Sequence, residues 1–593
     1  MTIAAPIKWV LTESDAGAAT ALAEQAGIHP LIARLMANRG IADPAGVRAF
    51  LSCELSTLSG PGIFVGMQEA AGRIRAAISD HEKIAVYGDY DVDGVTGAAL
   101  LFLVLKSLQA DVISYIPDRI SEGYGLHGPA LNKLKSEGVS IVITADCGIS
   151  ALDQARTARS LAMDLIVTDH HELIRQTDAS GASAIVLPEA YAVLHPKLVA
   201  AETPEQVKKD VAGLTGVGMA FKLAQALLNA QTDDKQLKQY LDLVALGTIA
   251  DVGAIIGENR ILVKHGLDDM SADNGSQRKG VAALKEVAGL AGKKIGVGAV
   301  GFSLAPRINA SGRLNRADAA FRLLTTDSPD EARELASMLD DINRDRQAVE
   351  ELIQEEARRL CRQLDIAGTG ALVLASADWH PGVIGIVASR IVEEFYRPAA
   401  LISIKDGIGK GSARSIPGFD LYQGLSACSD LLLGFGGHKY AAGFTVAEDR
   451  IPELRERLGL IVLQQMSQGF IRTLAVDGAV ALEELTLDLM HEIDQMAPFG
   501  QGNPEPRLGA RGLTVLSSKT VRNNHLKLQL RQQGGGSFGA IFFSRGGRPA
   551  KTVVEGSKIA VVFTPRINVW NGRSAVELEI RDIKIETSEG KKV

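Results

Sequence analysis

Apolar residues along this chain cluster in short runs, and three of these runs share one layout. They occupy residues 83–88, 139–145 and 164–168, and polar side chains follow each of them. Short apolar runs without alternation are typical of strands that are buried on both faces of a parallel sheet. Because ligands of open α/β sheets bind at the carboxyl ends of the strands, we expect the following polar residues to meet at one edge.

The residues that follow the runs are acids and histidines. In chain order they are Asp89, Asp91 and Asp93, then Asp146, then Asp169, His170 and His171. A fourth run, residues 241–250, is longer and richer in Leu and Ala, which predicts a helix that ends at Asp251. Carboxylates with one or two imidazoles suit Mg²⁺ or Mn²⁺. Two such ions about 3.5–4 Å apart can clamp the attacking and leaving oxygens of a phosphodiester. The pattern therefore predicts a two-metal phosphoesterase site.

Each side chain of this site has a predicted role. The predicted metal ligands are Asp89, Asp91, Asp93, Asp146, His170 and Asp251. Asp146 is expected to bridge the two ions, because it stands alone at its strand end between the other clusters. Asp89 is either a ligand or a group that orients one. His171 either binds the scissile phosphate or acts as the acid for the leaving group. Asp89, Asp146 and His171 are therefore the catalytic candidates.

Simpler explanations exist for each segment taken alone. Residues 89–94 match the start of a calcium-binding EF-hand loop, but its twelfth position is Leu100 and not glutamate. Asp146 or Asp251 alone would be an ordinary helix cap, and an isolated Asp-His-His a surface turn. All four segments occur together, each at the end of an element, and this favours the metal site.

The rest of the chain predicts further domains. A proline and a capping-box glutamate follow Ser328, and apolar positions recur to about Leu364, which predicts one long connecting helix. A second α/β unit begins at Gly370, and short alternating strands after about Arg472 predict a barrel, for which an OB-fold is the best match. The expected divisions are a helical lead-in at 1–65, a catalytic domain at 66–285, a linker with the long helix at 286–366, an α/β domain at 367–471 and the barrel at 472–593.

Composition limits the class of protein. The chain has 593 residues, four scattered cysteines and no apolar run long enough to span a bilayer. We therefore expect a multidomain cytoplasmic protein without a membrane segment, a secretion signal or a disulfide framework. The net charge is −7, yet residues 507–584 carry 14 Lys and Arg against 4 Asp and Glu, a local charge of +10. A basic stretch of this kind is the electrostatic footprint of a phosphate backbone.

The motifs together resemble the DHH phosphoesterase superfamily. The matching segments are Asp89-Tyr-Asp91-Val-Asp93-Gly94, Asp146-Cys147-Gly148, Asp169-His170-His171 and Gly247-Thr-Ile-Ala-Asp251. Further segments, around Arg307, His380, Arg414 and His438, are similar to the bacterial branch of exonucleases that degrade single-stranded DNA from 5′ to 3′. One position departs from that branch, because His195 stands where we expect asparagine.

The resemblance implies an architecture and a substrate. It implies a DHH parallel-sheet catalytic domain, a connecting helix, a DHH-associated α/β domain and an OB-like barrel, with two Mn²⁺ or Mg²⁺ ions and single-stranded DNA. It also implies docking of single-strand-binding protein and cooperation with a helicase, and we expect a monomer. Charge, glycine-rich surroundings, one turn tryptophan and the matching segments select as DNA-binding candidates Arg119, Arg307, Asn309, Arg313, His380, Ser412, Arg414, Gly436, Gly437, His438 and Trp570. Arg307 and Arg313 have an alternative role as structural clamps.

The leading hypothesis is a metal-dependent exonuclease that degrades single-stranded DNA from the 5′ end to mononucleotides in repair and recombination. The alternative is a DHH phosphodiesterase for short RNA or cyclic dinucleotides, which needs only the two α/β units, and the basic barrel argues against it. An inactive scaffold predicts eroded ligands, whereas all the acids and histidines are present. Since every predicted ligand precedes residue 252, removal of the chain from about Arg472 is expected to leave the metal site intact.

Overall fold

The computed structural model describes residues 7–12, 15–118, 122–177, 183–229, 235–271, 278–312, 317–521, 525–543 and 553–586. The chain divides into two compact units. The first, Asp43–Asn343 with Asp494–Glu505, is called the parallel-sheet unit. The second, Met1–Ala42 with Arg344–Ile493 and Pro506–Val593, is called the barrel unit.

Strands and helices alternate through the first part of the chain. The strands are β1 (Ile7–Leu11), β2 (Lys83–Gly88), β3 (Val112–Tyr115), β4 (Val139–Ala145), β5 (Asp164–Thr168), β6 (Ile174–Thr177), β7 (Ser183–Val186) and β8 (Ala192–Leu194). The helices are α1 (Ala16–Ala26), α2 (Pro30–Ala37), α3 (Pro44–Ser52), α4 (Met67–Ser79), α5 (Val92–Ser107), α6 (Gly128–Ser136), α7 (Leu152–Ser160), α8 (Glu205–Val211), α9 (Gly216–Leu228), α10 (Lys235–Lys238), α11 (Leu241–Ala250), α12 (Gly257–Ser271), α13 (Lys279–Val287), α14 (Val297–Ala299), α15 (Ala305–Ser311) and α16 (Ala317–Thr325).

A parallel sheet lies at the centre of the parallel-sheet unit, with the order β3-β2-β4-β5-β8 in the described residues. Strands β2, β4 and β5 are the three apolar runs, and they pair in parallel. Gly88 lies opposite Ala145 in the register, so the residues that follow them, Asp89 and Asp146, leave the sheet at the same level. The prediction of buried parallel strands that deliver acids to one edge is confirmed.

Helices α5, α9 and α11 pack together in the core of this unit. Residues 241–249 of α11 are all buried, as expected for a helix that is apolar on every side, and Asp251 caps its carboxyl end. Helix α5 begins at Val92, because Asp91 caps it. Asp93 therefore lies in the first turn of a helix and not in a loop. Along the described ranges no single helix is long and apolar enough to cross a membrane, although the bent pair α8–α9 passes that test jointly.

One long helix, α17 (Pro329–Arg362), has 34 residues, which corresponds to about 50 Å. The division between the two units falls inside it, after Asn343. Leu335 and Leu339 belong to the core of the parallel-sheet unit, whereas Ile353 and Cys361 belong to a core of the barrel unit. The two halves of the helix thus serve different cores, as predicted for a connecting helix.

A second α/β region follows in the barrel unit. Its elements are β9 (Leu372–Ser376), α18 (Ile384–Phe395), β10 (Ala399–Lys405), β11 (Ile408–Arg414), α19 (Leu421–Ser426), β12 (Leu432–Gly437), β13 (Ala441–Ala447) and α20 (Ile451–Gln465). Its described strands form a mixed sheet in the order β12-β13-β11-β10-β9. A turn precedes helix α18, because the carbonyl oxygen of His380 accepts from the N–H of Val383.

The C-terminal part is a closed barrel. Its elements are β14 (Arg472–Val476), β15 (Gly478–Ala479), α21 (Leu487–Gln495), β16 (Leu508–Val521), β17 (His525–Gln532), β18 (Ser537–Phe542), β19 (Lys558–Trp570) and β20 (Arg573–Ile585). Among the described strands the order is β15-β16-β17-β18-β20-β19, and β16 also pairs with β19, which closes the barrel. This confirms the predicted OB-fold. The N-terminal 65 residues contain a strand besides the expected helices, because β1 pairs in parallel with β14.

Candidate active site

The predicted metal ligands meet at the carboxyl edge of the parallel sheet. In each of three groups the potential ligand atoms lie within 4.8 Å of one another. The groups are Asp89 with Asp91 and Asp146, Asp93 with His170 and Asp251, and Asp146 with His170 and His171. Asp146 belongs to two of the three groups, which is the arrangement expected of a bridging carboxylate.

The centre of the cluster holds two buried polar atoms that lie close to each other. His170 Nε2 lies 3.0 Å from Asp146 Oδ1, and neither atom has a hydrogen-bond partner among the described residues. Burial, and then the charge of His171, lower the pKa of His170 to about 4, so the ring is neutral near pH 7. A neutral imidazole nitrogen and a carboxylate oxygen aimed at each other in a buried site call for a shared cation.

The N-terminus of helix α9 holds the carboxylate of Asp93. Both carboxylate oxygens of Asp93 accept backbone N–H groups at the start of α9, from Gly216 at 2.7 Å and from Val217 at 2.9 Å. Gly216 also packs against Asp146, where a Cβ would come 2.5 Å from the Asp146 Cβ. Helix N-termini favour negative charge, so α9 fixes Asp93 and permits the close approach of Asp146.

Repulsion among the acids is the main electrostatic feature of the site. Burial, followed by the neighbouring carboxylates, raises the pKa of Asp146 and of Asp93 well above the usual range. The same causes raise the pKa of Asp251 to about 7. Asp146 also has a left-handed backbone with φ of +65°, a strained conformation that is common at functional sites. Bound cations would relieve this repulsion, and oxygen donors with an imidazole fit Mn²⁺ or Mg²⁺.

A third group, which sequence reasoning missed, surrounds His171. Asp169 is fully buried, and its carboxylate accepts from the N–H groups of Ile149, His170 and His171 and lies 2.8 Å from His171 Nδ1. The hydroxyl of Tyr124 lies 3.1 Å from the same nitrogen. Burial alone would lower the pKa of His171, but the hydrogen bond and the charge of Asp169 outweigh it and raise that pKa to about 9. His171 is therefore a cation near pH 7.

Two of the predicted DNA-binding residues lie together on β11. The guanidinium of Arg414 donates to Ser412 Oγ at 3.2 Å and to the carbonyl oxygen of Ala413 at 2.9 Å. It has no carboxylate partner among the described residues, and burial lowers its pKa. Gly385 lies beside both side chains. A partly buried cation without a counterion suits an anionic ligand.

Other candidates are placed differently. The guanidinium of Arg307 pairs with Asp340 at 2.8 Å and donates to the carbonyl oxygen of Ser303, which matches its alternative role as a clamp. Asn309 is half-buried on α15. Arg119 and Arg313 lie outside the described residues.

The remaining candidates are on turns and strand ends of the barrel unit. His380 Nδ1 accepts from the N–H of Gly382 at 3.1 Å, while Gly436, Gly437 and His438 are exposed at the end of β12. Trp570 is 75% exposed at the tip of the β19–β20 hairpin. Of the other aromatic residues in the barrel, Phe563 is fully buried.

Sequence reasoning also missed a segment of the parallel-sheet unit that lies far along the chain. Residues Asp494–Glu505 belong to this unit and contact the loop that follows Asp251. Removal of the chain from Arg472 would therefore also remove a contact to the loop after Asp251, and the expectation that the metal site stays intact remains a prediction. The acid and histidine motifs do not indicate this segment, because it contacts the loop after Asp251 through the backbone of Gln501 and through Gly500.

The parallel sheet, the acidic cluster and the closed barrel define a DHH-type phosphoesterase. Family models agree: the DHH family N-terminal domain matches residues 83–248, the DHHA1 domain residues 368–462 and the RecJ OB domain residues 476–582. The chain belongs to the RecJ family.

Relatives and solved structures agree over nearly the whole chain. The single-stranded-DNA-specific exonuclease RecJ of Bacillus subtilis is 39% identical over 98% of this chain and 71% of that relative. The Escherichia coli protein of the same name is 34% identical over 86% of this chain and 88% of its own length. The crystal structure of Thermus thermophilus RecJ with Mn²⁺ matches with a TM-score of 0.79 at 30% identity, covering 99% of this chain and 81% of that one. A Mg²⁺ complex from the same organism matches with a TM-score of 0.74 at 29% identity, covering 98% and 79%.

Proposed function

We propose that this chain is a metal-dependent exonuclease that degrades single-stranded DNA from the 5′ end to mononucleotides, in DNA repair and recombination. The observation that supports it most is the buried pair of His170 Nε2 and Asp146 Oδ1, 3.0 Å apart and surrounded by further carboxylates. The relatives that match the chain are named single-stranded-DNA-specific exonucleases. These names supply the strand preference that the site alone does not specify.

Asp146 is the proposed bridge between two Mn²⁺ or Mg²⁺ sites. One site comprises Asp89, Asp91 and Asp146, and the other comprises Asp93, His170 and Asp251, with Asp146 shared. When bound, the ions stabilise the charge on the attacking and leaving oxygens of the phosphodiester. The Oδ1 atom of Asp91 accepts from the N–H of Gly94 and caps α5, which fixes the orientation of the carboxylate. The other oxygen of Asp91 is the proposed metal ligand.

His171 is the proposed cationic residue next to the ions. Asp169 holds its ring and keeps it protonated, and the side chain of His171 is 42% exposed, so substrate can reach it. A protonated imidazole there either donates a hydrogen bond to the scissile phosphate or donates its proton to the leaving oxygen. The hydroxyl of Tyr124, 3.1 Å from the same ring nitrogen, also restricts the ring.

Recognition of the strand end is proposed for the second α/β region. Arg414 and Ser412 present a cation and a hydroxyl without a competing carboxylate, which suits a terminal 5′-phosphate. The basic barrel with Trp570 would hold the strand further along, by charge and by base stacking. The proposed division of labour follows the domains 66–285, 367–471 and 472–593, with the linker at 286–366 between the first two.

Digestion of end-labelled strands tests the proposal. Single strands, blunt duplexes and 3′-blocked strands are incubated with Mn²⁺ or Mg²⁺, and mononucleotides should appear first from the 5′ label of single strands. Asp146→Asn should abolish turnover while thermal unfolding shows a folded protein. Equal degradation of blunt duplex, or first release from the 3′ end, contradicts the proposal. Comparable turnover of a dinucleotide and of a long strand would favour the alternative phosphodiesterase.

Cytoplasmic location and partners complete the proposal. The four cysteines are free and buried, which suits a reducing compartment. Docking of single-strand-binding protein and cooperation with a helicase are proposed from the family resemblance, together with a monomeric state. Sedimentation of the chain with and without single-strand-binding protein measures the docking of that protein and the oligomeric state of the chain.

A further inference from the structure

The loop between α11 and α12 carries Asp251 at its first position and a strained residue at its second. Val252 has φ of +58°, a left-handed conformation that is unfavourable for a β-branched side chain. Its side chain is 67% exposed, so its own packing does not offset the strain. Such a conformation persists only where surrounding structure holds the backbone.

Residues Asp494–Glu505, called the strap, contact the same loop three residues further on, at Ile255. The N–H of Ile255 donates to the carbonyl oxygen of Gln501 at 2.7 Å. The side chain of Ile255 is 1% exposed, and Gly500 lies directly against it. A Cβ at position 500 would come 2.8 Å from Ile255 Cγ1, closer than real Cβ contacts. The strap therefore approaches the loop so closely that only glycine fits there without displacement.

The strap is itself held in one conformation. Asn503 is fully buried, and its Nδ2 donates to the carbonyl oxygens of Met496 at 3.0 Å and Pro498 at 2.9 Å. Backbone N–H and C=O groups of Gly500 and Asn503 bond to each other in both directions. On α12, Arg260 donates to the carbonyl oxygens of Gln495 and Ala497, which ties the start of the strap to the helix after the loop.

The same loop also leads to the helix end that holds Asp93. The N–H of Gly253 donates to the carbonyl oxygen of Thr248, and Thr248 Oγ1 lies 3.1 Å from Thr215 Oγ1. Thr215 is the residue before α9, the helix whose first N–H groups bind Asp93. A displacement of the loop would thus reach both Asp251 and the support of Asp93.

We infer that the strap is a positioning element of the metal centre. It fixes the loop after Asp251, and loss of its contact weakens the ion held by Asp93, His170 and Asp251 more than the ion held by Asp89, Asp91 and Asp146. This inference rests on the proposed assignment of those ligands. Along the chain, the residues before the strap, through Ile493, and those after it, from Pro506, belong to the barrel unit. The proposed positioning element is therefore an insertion in the sequence of that unit.

Gly500→Ala in the full chain tests this directly. Mn²⁺ is titrated into the metal-free protein without DNA, by isothermal calorimetry and by electron paramagnetic resonance. The wild type should bind two ions that are magnetically coupled. In the variant one of the two affinities should fall at least about 10-fold, the other should stay within about twofold, and the coupled signal should be lost at two equivalents.

Gly296→Ala is the matched control. A Cβ at position 296 meets nothing within 4 Å, although its neighbour Val297 packs on Gly500. It should bind both ions as the wild type does. A second variant, Gly500→Ala with Ile255→Ala, removes the side chain that the new methyl group meets, and it should recover part of the lost affinity. A general loss of folding would not be recovered in this way.

Three results would overturn the inference. They are two ions bound by Gly500→Ala with wild-type affinities, equal weakening of both ions together with a lowered melting temperature, and no recovery in the double variant. A wild-type chain that binds two ions but degrades no single strand would instead refute the proposed function and leave the role of the strap standing.

Discussion

Replacement of Asp169 by asparagine tests how the charge of His171 is set. The carboxylate of Asp169 accepts three backbone N–H groups and pairs with His171 Nδ1 at 2.8 Å, in a fully buried position. Burial lowers the pKa of His171, but the hydrogen bond and the charge of Asp169 together have the larger effect and raise it to about 9. The variant keeps the shape of residue 169 and removes the charge, so the opposing effect of burial remains.

The expected effect is large at alkaline pH and small at acid pH. At pH 8 a histidine with a pKa of about 9 is protonated in roughly 90% of molecules, and one with the ordinary value of about 6.5 in roughly 3%. If the protonated ring is the active form, turnover of Asp169→Asn at pH 8 falls at least about 30-fold, because burial keeps the pKa of the variant at or below the ordinary value, whereas near pH 5.5 the two proteins agree within about threefold. The amide also leaves at least one buried N–H without an acceptor, on the order of 1–3 kcal/mol of stability.

The pair also has a defined pH window for stability. His171 has a raised pKa in the folded protein, so its contribution is complete below the ordinary histidine value and is lost as pH rises through about 9. Although burial raises the pKa of Asp169, the hydrogen bond from His171 outweighs it and lowers that pKa, so its contribution is lost only as pH falls below the ordinary aspartate range. The stabilisation is therefore complete near pH 5–6, and the variant should lose most there.

Pre-steady-state turnover of a 5′-labelled single strand from pH 5.5 to 9.5, at saturating Mn²⁺, measures the first effect. Thermal unfolding over the same range measures the second. If Asp169→Asn lowers the rate by one constant factor at every pH, Asp169 does not set the charge of His171 and the reasoning fails. A profile whose alkaline limb moves to lower pH by about 2.5 units or more supports it.

Three further outcomes follow from the charges of the two units. Without metal, burial and then Asp91 raise the pKa of Asp251 to about 7, so the free energy of unfolding should rise as pH falls from 8 to 6. Unfolding with a chelator present measures this pH dependence, and saturating Mn²⁺ should abolish it. Arg414→Ala should raise KM about 10- to 100-fold for 5′-phosphorylated strands and much less for 5′-hydroxyl strands, and equal losses would show that Arg414 is not an end sensor. Lys519 and Lys527 lie opposite each other and exposed on β16 and β17, so their joint change to Gln should reduce the slope of log K against log salt by about 1.4, and an unchanged slope would place the DNA elsewhere.

The sheet and most of its acids could be predicted because each signal is local. A buried parallel strand is apolar over its whole length, and the residue after it must lie at the carboxyl edge, so β2 and β4 place Asp89 and Asp146 without further information. Asp251 could be assigned to a helix from the length of its run. The start of α5 at Val92 depends on Asp91, which is both the cap of this helix and a candidate ligand.

Other parts of the site depend on contacts between distant residues. Asp169 was not selected as a functional residue, because its role depends on N–H groups from Ile149 and from its own turn. Tyr124 reaches His171 from a loop that carried only a charge-based prediction at Arg119. No residue of the strap belongs to the groups of potential ligands found among the described residues, and its signal is a glycine whose missing Cβ matters only once Ile255 is in place.

At position 195, where we expected asparagine, the histidine supports the Asp-His-His turn. The ring is fully buried; its Nε2 lies 2.8 Å from the carbonyl oxygen of His171, and its Nδ1 accepts from the N–H of Lys197 at 3.1 Å. Burial lowers the pKa of His195, so the ring is neutral near pH 7 and has one donor and one acceptor nitrogen. An asparagine carboxamide offers the same donor and acceptor functions. The substitution therefore preserves the support of the Asp-His-His turn, in which Asp169 holds the N–H groups and His195 holds the carbonyl oxygen of His171.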